Sequence, residues 1–484
     1  YSDEVSDETY TGLTDQDFAA RPYRRYRGTQ LDRMEWRHYQ AQLAHTARFG
    51  GVDLVTTAYH HDFSRDWRKL DGFGGDAALN QVLASPDTGN NAVLYAVLTG
   101  AEDTLSSAET LLVGTNSRSF VSQGVQLVAR TDQTWLGLLH SVELGTRLHH
   151  DVADRDRFED YYDMRAGSLV AAAMERNMPL DTRDSTTAWA SHYQHKLTLG
   201  DWQVTAGVRT ELIAARSEDN LSGNSVEDDT FIILPGGGVV WQALPSLGLL
   251  AGVHRGFVPV MPDPMYPASP EQSVNYEAGF RWLDLGANLE VVGFFNDYRN
   301  LSATCTSSVG CDPDQIDRTF DGGEAHSYGL ESLLSTAPVI TPDLRLPLRA
   351  GYTFQRTTFQ RAFSSPNPQW GDVEPGDELP YLPAHQLQVQ AGVAGAHWEL
   401  MLSGRYTSAM RDVASHDGGS KSTLWTDSAT VIDLAASYEA PAAWGKLYLT
   451  INNLLDEAHV TSRRPYGARP GVPRQIVLGY KTSL

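Results

Sequence analysis

Arginine side chains at three places in this chain are candidate sites for an anion. Arg118 stands alone, whereas the other two stretches lie near the two ends of the chain, at Arg21, Arg24, Arg25 and Arg27 and at Arg463, Arg464 and Arg469. A guanidinium group binds a carboxylate or a phosphate through two parallel hydrogen bonds. The alternatives are contact with an anionic surface or local ion pairs.

Other reactive residue types form no catalytic pattern that we recognise. No nucleophile elbow and no His-Glu-x-x-His helix occurs in the sequence. The cysteines are Cys305 and Cys311, in one polar segment. Because no histidine or further cysteine stands nearby at metal-ligand spacing, we expect a disulfide rather than a two-cysteine metal site, and hence an oxidising compartment.

Composition limits the class of protein. The chain has 484 residues and a formal net charge of −22. Such a negative charge argues against a nucleic-acid partner, since phosphates require a basic surface. The sequence is 41% hydrophobic and contains no apolar run long enough for a transmembrane helix. A strand that faces lipid with every second side chain needs no such run.

Alternation of apolar and polar residues predicts seventeen strands. In the segment 202–209, Trp202, Val204 and Val208 would face one side, while Gln203 and Arg209 would face the other. The predicted strands are 33–48, 52–68, 119–132, 135–151, 184–199, 202–217, 229–243, 246–260, 271–283, 286–301, 323–337, 343–361, 379–394, 396–412, 427–440, 443–458 and 472–484.

Every second junction between these strands is a tight turn, and tryptophans mark six of these turns. These junctions are short, and the indoles beside them are Trp135, Trp202, Trp241, Trp282, Trp398 and Trp444. Indole prefers the headgroup layer of a membrane, because its body is apolar and its N–H needs a polar partner. Short turns with indoles on one side and long loops on the other indicate an outer-membrane β-barrel. The alternative is a soluble β-sandwich closed by tryptophans.

Long polar segments form the opposite, outer side. We expect outer loops at 1–32, 69–118, 152–183, 217–228, 259–272, 302–322, 362–378, 413–426 and 459–471. Helix-like patches between Ala77 and Val113 suggest a folded lid. An odd strand count and an opening loop predict that an N-terminal part with further strands is missing, unless one strand is miscounted. On the outer side, the arginines would meet lipopolysaccharide if they bind no soluble ligand.

The C-terminal segments resemble the closing part of TonB-dependent outer-membrane receptors. Asn-Leu-Leu-Asp at 453–456 and Pro-Gly-Val-Pro-Arg at 470–474 precede an alternating last strand, although Leu484 replaces the usual terminal aromatic residue. Segments at 254–257, 273–279, 295–298 and 329–331 resemble strand motifs of the same receptors, in the same order. Segments 9–15 and 63–67 and the Cys305–Cys311 loop look closest to the ferric-citrate-receptor branch.

This resemblance implies an all-β fold, a large antiparallel transmembrane β-barrel with long extracellular loops and short periplasmic turns. The full protein would have about 22 strands and an N-terminal plug, and residues 1–484 would be its C-terminal barrel part. The implied function is energised uptake of a ferric chelate, ferric citrate or a siderophore, with no covalently bound cofactor and no enzymatic activity. Arg24, Arg25, Arg27, Arg118, Arg463, Arg464 and Arg469 would bind the ligand, as would Gln123, which stands where the branch would have arginine.

The implied partners follow from the same resemblance. They are TonB, reached through the missing N-terminal part, the lipid and lipopolysaccharide of the outer membrane of a Gram-negative bacterium, and the iron chelate. We expect a monomer. The alternative function is a passive outer-membrane channel or a surface-adhesion barrel, which would have no plug.

Overall fold

The protein is built on one long antiparallel sheet. A computed structural model describes residues 1–263, 268–312, 315–416, 425–440 and 444–482. The principal strands are β1 (Ser2–Ser6), β2 (Arg33–Phe49), β3 (Val52–Phe73), β4 (Leu111–Trp135), β5 (Leu138–Arg165), β6 (Asn177–Leu199), β7 (Trp202–Asp219), β8 (Asn224–Leu244), β9 (Leu247–Val258), β10 (Glu271–Asp284), β11 (Ala287–Arg299), β12 (Ala325–Thr336), β13 (Leu348–Phe359), β14 (His385–Ala394), β15 (Trp398–Thr407), β16 (Ala429–Glu439), β17 (Lys446–Asn452) and β18 (Gln475–Lys481).

Each principal strand pairs with the next one in the chain, from β1 to β18. Strands β2 to β18 correspond one by one to the seventeen predicted strands. Strand β1 is an addition, because its five residues lie in the segment 1–32 that we predicted to be a loop. The segments next to the two edge strands meet, since Leu13 forms a β-bridge with Ala468. The sheet is therefore curled into a barrel, as predicted.

The outward face carries the predicted alternation. On β7, Trp202, Val204 and Val208 are exposed, and their neighbours of opposite parity point into the barrel. The ring of Trp202 stacks on that of Trp241 on β8, with centroids 5.1 Å apart. At the β4–β5 turn, Leu136 and Gly137 both have positive φ, which suits the twist of a two-residue hairpin. Apolar side chains thus face lipid, and the indoles lie next to the short turns.

The outer side is more ordered than we predicted. The predicted loops 152–183 and 217–228 are wrong, because β5, β6, β7 and β8 continue as hairpins beyond the apolar band. There the backbone groups still need partners, while the side chains no longer need to alternate. Short strands in the outer loops are Ser168–Ala171, Ser302–Thr304, Thr319–Asp321, Phe363–Ser364, Asp372–Val373, Val460–Ser462 and Arg469–Pro470. Two more, Val339–Thr341 and Leu344–Arg345, form the short junction between β12 and β13 on the opposite side.

The helices also lie in the outer loops. They are α1 (Asp15–Ala20), α2 (Leu79–Ala84) and α3 (Gly89–Thr99). Helix α2 confirms the first helix-like patch, whereas the second patch is a single 3₁₀ turn, Ser107–Glu109, followed by β4. In the described part of the chain, no helix is long and apolar enough to cross a membrane.

The buried apolar cores lie on the outer side rather than in the barrel. The largest packs α2 and α3 against the ends of β3 and β4 and contains Leu70, Leu83, Leu98, Leu111 and Met164. A small core surrounds the disulfide Cys305–Cys311, whose Cα atoms are 5.8 Å apart, and confirms the predicted cysteine pairing. The predicted final strand continues to Leu484, and that residue lies outside the described ranges.

Candidate ligand site in the outer lumen

Three arginines form one row across the inner wall. In the register of β3, β4 and β5, Arg65 is opposite Arg118, and Arg118 is opposite Arg155. Val125 and Leu127 on β4 are exposed and point outward, so Arg118, an odd number of residues away, points inward. Strand geometry therefore brings three guanidinium groups to one level of the lumen.

This row lies above the apolar band of the barrel. The outward residues next to it are Asp66 on β3, Ser117 on β4 and Asp156 on β5, which are consecutive cross-strand neighbours. Polar and charged side chains at this level of the outer surface are unsuited to hydrocarbon. The arginine row is therefore in the extracellular part of the lumen, where a ligand arriving from outside would first meet the wall.

A carboxylate from a distant loop lies against the row. Asp317 accepts hydrogen bonds from the Arg118 guanidinium at 2.7 and 3.0 Å, and its side chain is 12% exposed. The Nε atom of Arg155 is 4.0 Å from the same carboxylate. Arg155 is also paired with Asp184 on β6. Among the described residues, two carboxylates thus pair with two of the three cations.

Burial lowers the pKa of two arginines in this row. It lowers the pKa of Arg65, and the neighbouring positive charge of Arg118 lowers it further. Burial also lowers the pKa of Arg155. Both shifts have the same physical meaning, because removal of water from a cation costs free energy unless an anion compensates it. An additional anion is therefore favoured at this place.

Aromatic residues adjoin the row on its extracellular side. The rings of Tyr10 and Trp67 are 4.4 Å apart, and the Arg65 guanidinium lies 5.4 Å from the Trp67 centroid. Arg469 lies over the Tyr10 ring and donates to the carbonyl oxygen of Thr9. The segments 9–15 and 63–67, which carry the resemblance to the ferric-citrate branch, are thus in contact with each other.

A buried ionic group lies one level above. Lys69 is 3.1 Å from Asp71, and Arg157 is 3.1 Å from Asp71 and 2.9 Å from Glu159. The side chains of Lys69 and Arg157 are 0% and 2% exposed. Two cations and two anions balance each other there, so this group closes the outer end of the wall and offers no surplus charge.

The first predicted arginine cluster lies apart from this site. Arg24 pairs with Asp17 at 2.7 Å, and Arg25 donates to the carbonyl oxygens of Asp7 and Thr29. Arg21 and Arg27 are exposed. These contacts hold the segment between β1 and β2 together, and a ligand role for Arg24, Arg25 and Arg27 stays a prediction.

The last predicted cluster divides. Arg469 adjoins Tyr10, as described above, whereas Arg463 pairs with Asp15 at 2.7 Å. Arg464 pairs with Asp412 at 3.0 Å and donates to the carbonyl oxygen of Val309 in the disulfide loop. Both Arg463 and Arg464 therefore join outer segments to one another, and their predicted ligand role is untested.

Gln123 is on the other face of β4. It shares the parity of the outward residues Val125 and Leu127, and its side-chain oxygen is 3.2 Å from His60 Nδ1. It therefore does not adjoin Arg118 in the lumen. Its predicted ligand role stays a prediction, and the outward position gives no support for it.

Arg65, Arg155 and Asp317 were not predicted from the sequence to be site residues. Arg65 lies within the segment 63–67, which carries part of the family resemblance, but Arg155 and Asp317 carry no local signal. Their relationship depends on the exact register of β3, β4 and β5 and on the path of a loop that follows β11. Within the described ranges, no group of three or more histidine, cysteine, aspartate or glutamate side chains is arranged to hold a metal ion.

The fold and the lumenal site define an outer-membrane type of β-barrel that could admit a ligand from outside. A family model described as "TonB dependent receptor-like, beta-barrel" matches residues 2–454. The chain belongs to this family. Receptors of the family are transporters rather than enzymes, and they are outer-membrane β-barrels of Gram-negative bacteria.

Solved structures of similar fold include several receptors. The ferric citrate transporter FecA in its unliganded form is 17% identical, with a TM-score of 0.68 over 97% of this chain and 64% of that chain. The siderophore receptor PiuA from Acinetobacter baumannii is 13% identical, with a TM-score of 0.68 over 92% and 64%. The pyoverdine receptor FpvA from Pseudomonas aeruginosa PAO1, bound to pyoverdine, is 15% identical, with a TM-score of 0.67 over 94% and 62%. At these identities the likeness concerns the fold alone. This chain spans about 64% of the length of the first two.

Proposed function

We propose that this protein is the barrel part of an outer-membrane receptor that takes up a ferric chelate rich in carboxylates, with ferric citrate as the first candidate. The observation that carries the proposal is the row Arg65, Arg118 and Arg155 in the extracellular lumen. Three guanidinium groups in a partly dehydrated wall match a ligand with several carboxylates better than a neutral one.

Supporting observations concern the surroundings of the row. Tyr10 and Trp67 supply an apolar surface beside the cations, and Arg469 adds a fourth cation near Tyr10. The methylene groups of citrate would pack on this aromatic surface while its carboxylates meet the cations. The solved structures of similar fold named for ferric citrate and for siderophores support a ferric chelate as the ligand.

Uptake would be energised in the manner of the family. We propose that a plug and a TonB-binding segment close the lumen and open it when TonB acts. The wall described above would make the first contact with the chelate. Bond-breaking chemistry would have no part in transport, and the chelate would be cargo rather than a cofactor.

Binding measurements on the full-length protein test the ligand class. Quenching of tryptophan fluorescence by ferric citrate, iron-free citrate and a neutral ferric hydroxamate would be compared for wild type and Arg118→Gln. We expect saturable binding of ferric citrate by wild type and a loss of about tenfold or more in the variant, since a charge-assisted bidentate pair is removed. Arg48→Gln is the control, because Arg48 is exposed and lies near the short β2–β3 turn, far from the arginine row.

Transport measurements test the energised mechanism. Cells that produce the full-length protein should accumulate radioactive iron from ferric citrate only when TonB is present. Equal accumulation without TonB would contradict the proposal and favour a passive channel. Tighter binding of the hydroxamate than of ferric citrate would contradict the carboxylate specificity while leaving the receptor function intact.

A further inference from the structure

The arginine row is unfavourable without an anion. Directly opposed residues on neighbouring strands have Cβ atoms roughly 5 Å apart, and like charges at such positions destabilise a sheet. Here Arg118 is flanked by Arg65 on one side and by Arg155 on the other. The wall of this barrel therefore requires a carboxylate in front of Arg118, whether or not a ligand is bound.

Asp317 supplies that carboxylate from across the mouth. It belongs to the loop between β11 and β12, yet it bonds Arg118 on β4 with both carboxylate oxygens. The same loop reaches the wall a second time, where Ser307 Oγ lies 3.5 Å from Arg157. The disulfide loop thus crosses from one wall of the barrel to the arginine row on another.

The base of the loop holds Asp317 in a defined position. The Asp317 N–H donates to the carbonyl oxygen of Cys305 at 2.8 Å, and the Cys305 N–H donates to that of Arg318, also at 2.8 Å. Asp317 has a φ of 68°, a left-handed conformation that aspartate and asparagine tolerate better than most residues. The disulfide therefore fixes the residue that orients Asp317 toward the wall.

The two carboxylates that meet the row leave some of its donors unused. Within the described part of the chain, Nε of Arg65 and Nε of Arg155 are buried and have no hydrogen-bond partner. A buried N–H without an acceptor costs free energy comparable to a lost hydrogen bond. A ligand with two or three carboxylates would satisfy these donors, which Asp317 cannot do.

We propose that Asp317 is an internal competitor of the ligand and that the segment 315–321, which is hydrogen-bonded to Cys305 of the disulfide, is a latch, closed over the empty site. A carboxylate of the incoming chelate replaces Asp317 at Arg118, and further carboxylates engage Arg65 and Arg155. Loss of the Arg118–Asp317 contact frees the loop from this wall. This inference rests on the proposed carboxylate-rich ligand, and it identifies Asp317 as the group with which that ligand competes.

Substitution of Asp317 tests the competition. Asp317→Asn keeps the shape and the left-handed conformation but removes the charge that competes for Arg118. We expect Asp317→Asn to bind ferric citrate about tenfold more tightly than wild type, because the ligand no longer displaces a charge-assisted pair. The matched control is Asp321→Asn in the same loop, where the carboxylate accepts a hydrogen bond from the nearby Gly323 N–H. That variant should bind like wild type.

Hydrogen exchange provides a second readout that a merely structural role would not share. Asp317→Asn and Arg118→Gln break the same contact from its two sides, so both should speed amide exchange in the segment 315–321 without ligand. Only Arg118→Gln should also weaken binding. If Asp317 competes with the ligand, both variants should show the same faster amide exchange. Their affinities for ferric citrate should change in opposite directions.

Other outcomes overturn the inference in distinguishable ways. If wild type binds ferric citrate and Asp317→Asn binds it equally or more weakly, Asp317 is no competitor and the latch is wrong, while the proposed function stands. If neither protein binds ferric citrate or citrate, the proposed ligand class fails and the latch fails with it. Unchanged exchange in both variants would show that the Arg118–Asp317 contact does not hold the loop.

Discussion

Arg118 on β4 and Asp317 in the loop between β11 and β12 are 199 residues apart in sequence, and their side chains meet through two contacts of 2.7 and 3.0 Å. This pair joins two walls of the barrel across its outer mouth. It also places the only carboxylate that bonds Arg118, among the described residues, on a segment whose backbone is hydrogen-bonded to Cys305 of the disulfide. The position of this loop therefore depends on whether Arg118 binds Asp317.

Removal of the disulfide should loosen this loop without unfolding the barrel. A disulfide that closes so short a loop is worth about 2 kcal/mol in the chain-entropy model. We expect trypsin to cleave after Arg318 much faster in Cys305→Ser/Cys311→Ser than in the oxidised wild type. The measurement is limited proteolysis followed by mass spectrometry, with unchanged heat-modifiable gel mobility as evidence of an intact barrel. Equal cleavage rates in both proteins would argue against a restraining role of the disulfide.

The outer core should weaken as the pH rises. Burial raises the pKa of Asp32 to about 7, above the ordinary value of 3.8. The fold thus favours the neutral carboxyl, and its contribution is complete below about pH 4 and is lost as the pH rises through about 7. Amide exchange at Leu70, whose N–H bonds Asp32 at 2.8 Å, should therefore be slower, after correction for intrinsic rates, at pH 5 than at pH 8.

Asp32→Asn is the companion variant for that measurement. Asparagine keeps an oxygen acceptor for the Leu70 N–H and has no proton to lose. We expect its corrected protection at Leu70 to be the same at pH 5 and pH 8. If Asp32→Asn kept the full pH dependence of protection at Leu70, another titrating group would be its cause.

The buried ionic group at the end of β3 should be sensitive to the loss of one member. Lys69→Met leaves Asp71 and Glu159 with Arg157 alone, so one buried negative charge is uncompensated. Breaking such a group costs about 3 to 5 kcal/mol. Urea unfolding in lipid vesicles would measure the change. In the exposed pair Arg48–Asp53, Asp53→Asn should cost less than about 1 kcal/mol. Equal costs at the two sites would contradict this account.

The stacked indoles beside the short turns should stabilise the inserted barrel. Trp202→Ala removes the ring that stacks on Trp241 and contacts the headgroup layer. We expect a loss of about 2 kcal/mol from apolar burial and ring stacking together. Gln203→Ala, on the lumenal face of the same strand, should change the unfolding free energy by much less. A larger effect at Gln203 would reverse the assignment of the two faces.

Strand positions were predictable because a barrel wall imposes a local pattern. Every second residue of β7, from Trp202 to Val208, must suit lipid, and short turns need residues such as Gly137 that accept positive φ. Where the wall rises above the membrane, as in the outer half of β5, this requirement ends. The alternation ends with it, and for that reason 152–165 was predicted to be a loop although it is strand.

Local chemistry alone determined that this chain forms an antiparallel barrel with indoles at its short turns and a disulfide in one loop, since each of these depends on residues close in sequence. The tertiary structure decided which charges meet. Arg24, Arg463 and Arg464 looked equivalent to Arg118, yet they bind structural partners. Arg118 joins Arg65 and Arg155 because the register of three strands aligns them, and Asp317 reaches them only because a loop crosses the mouth.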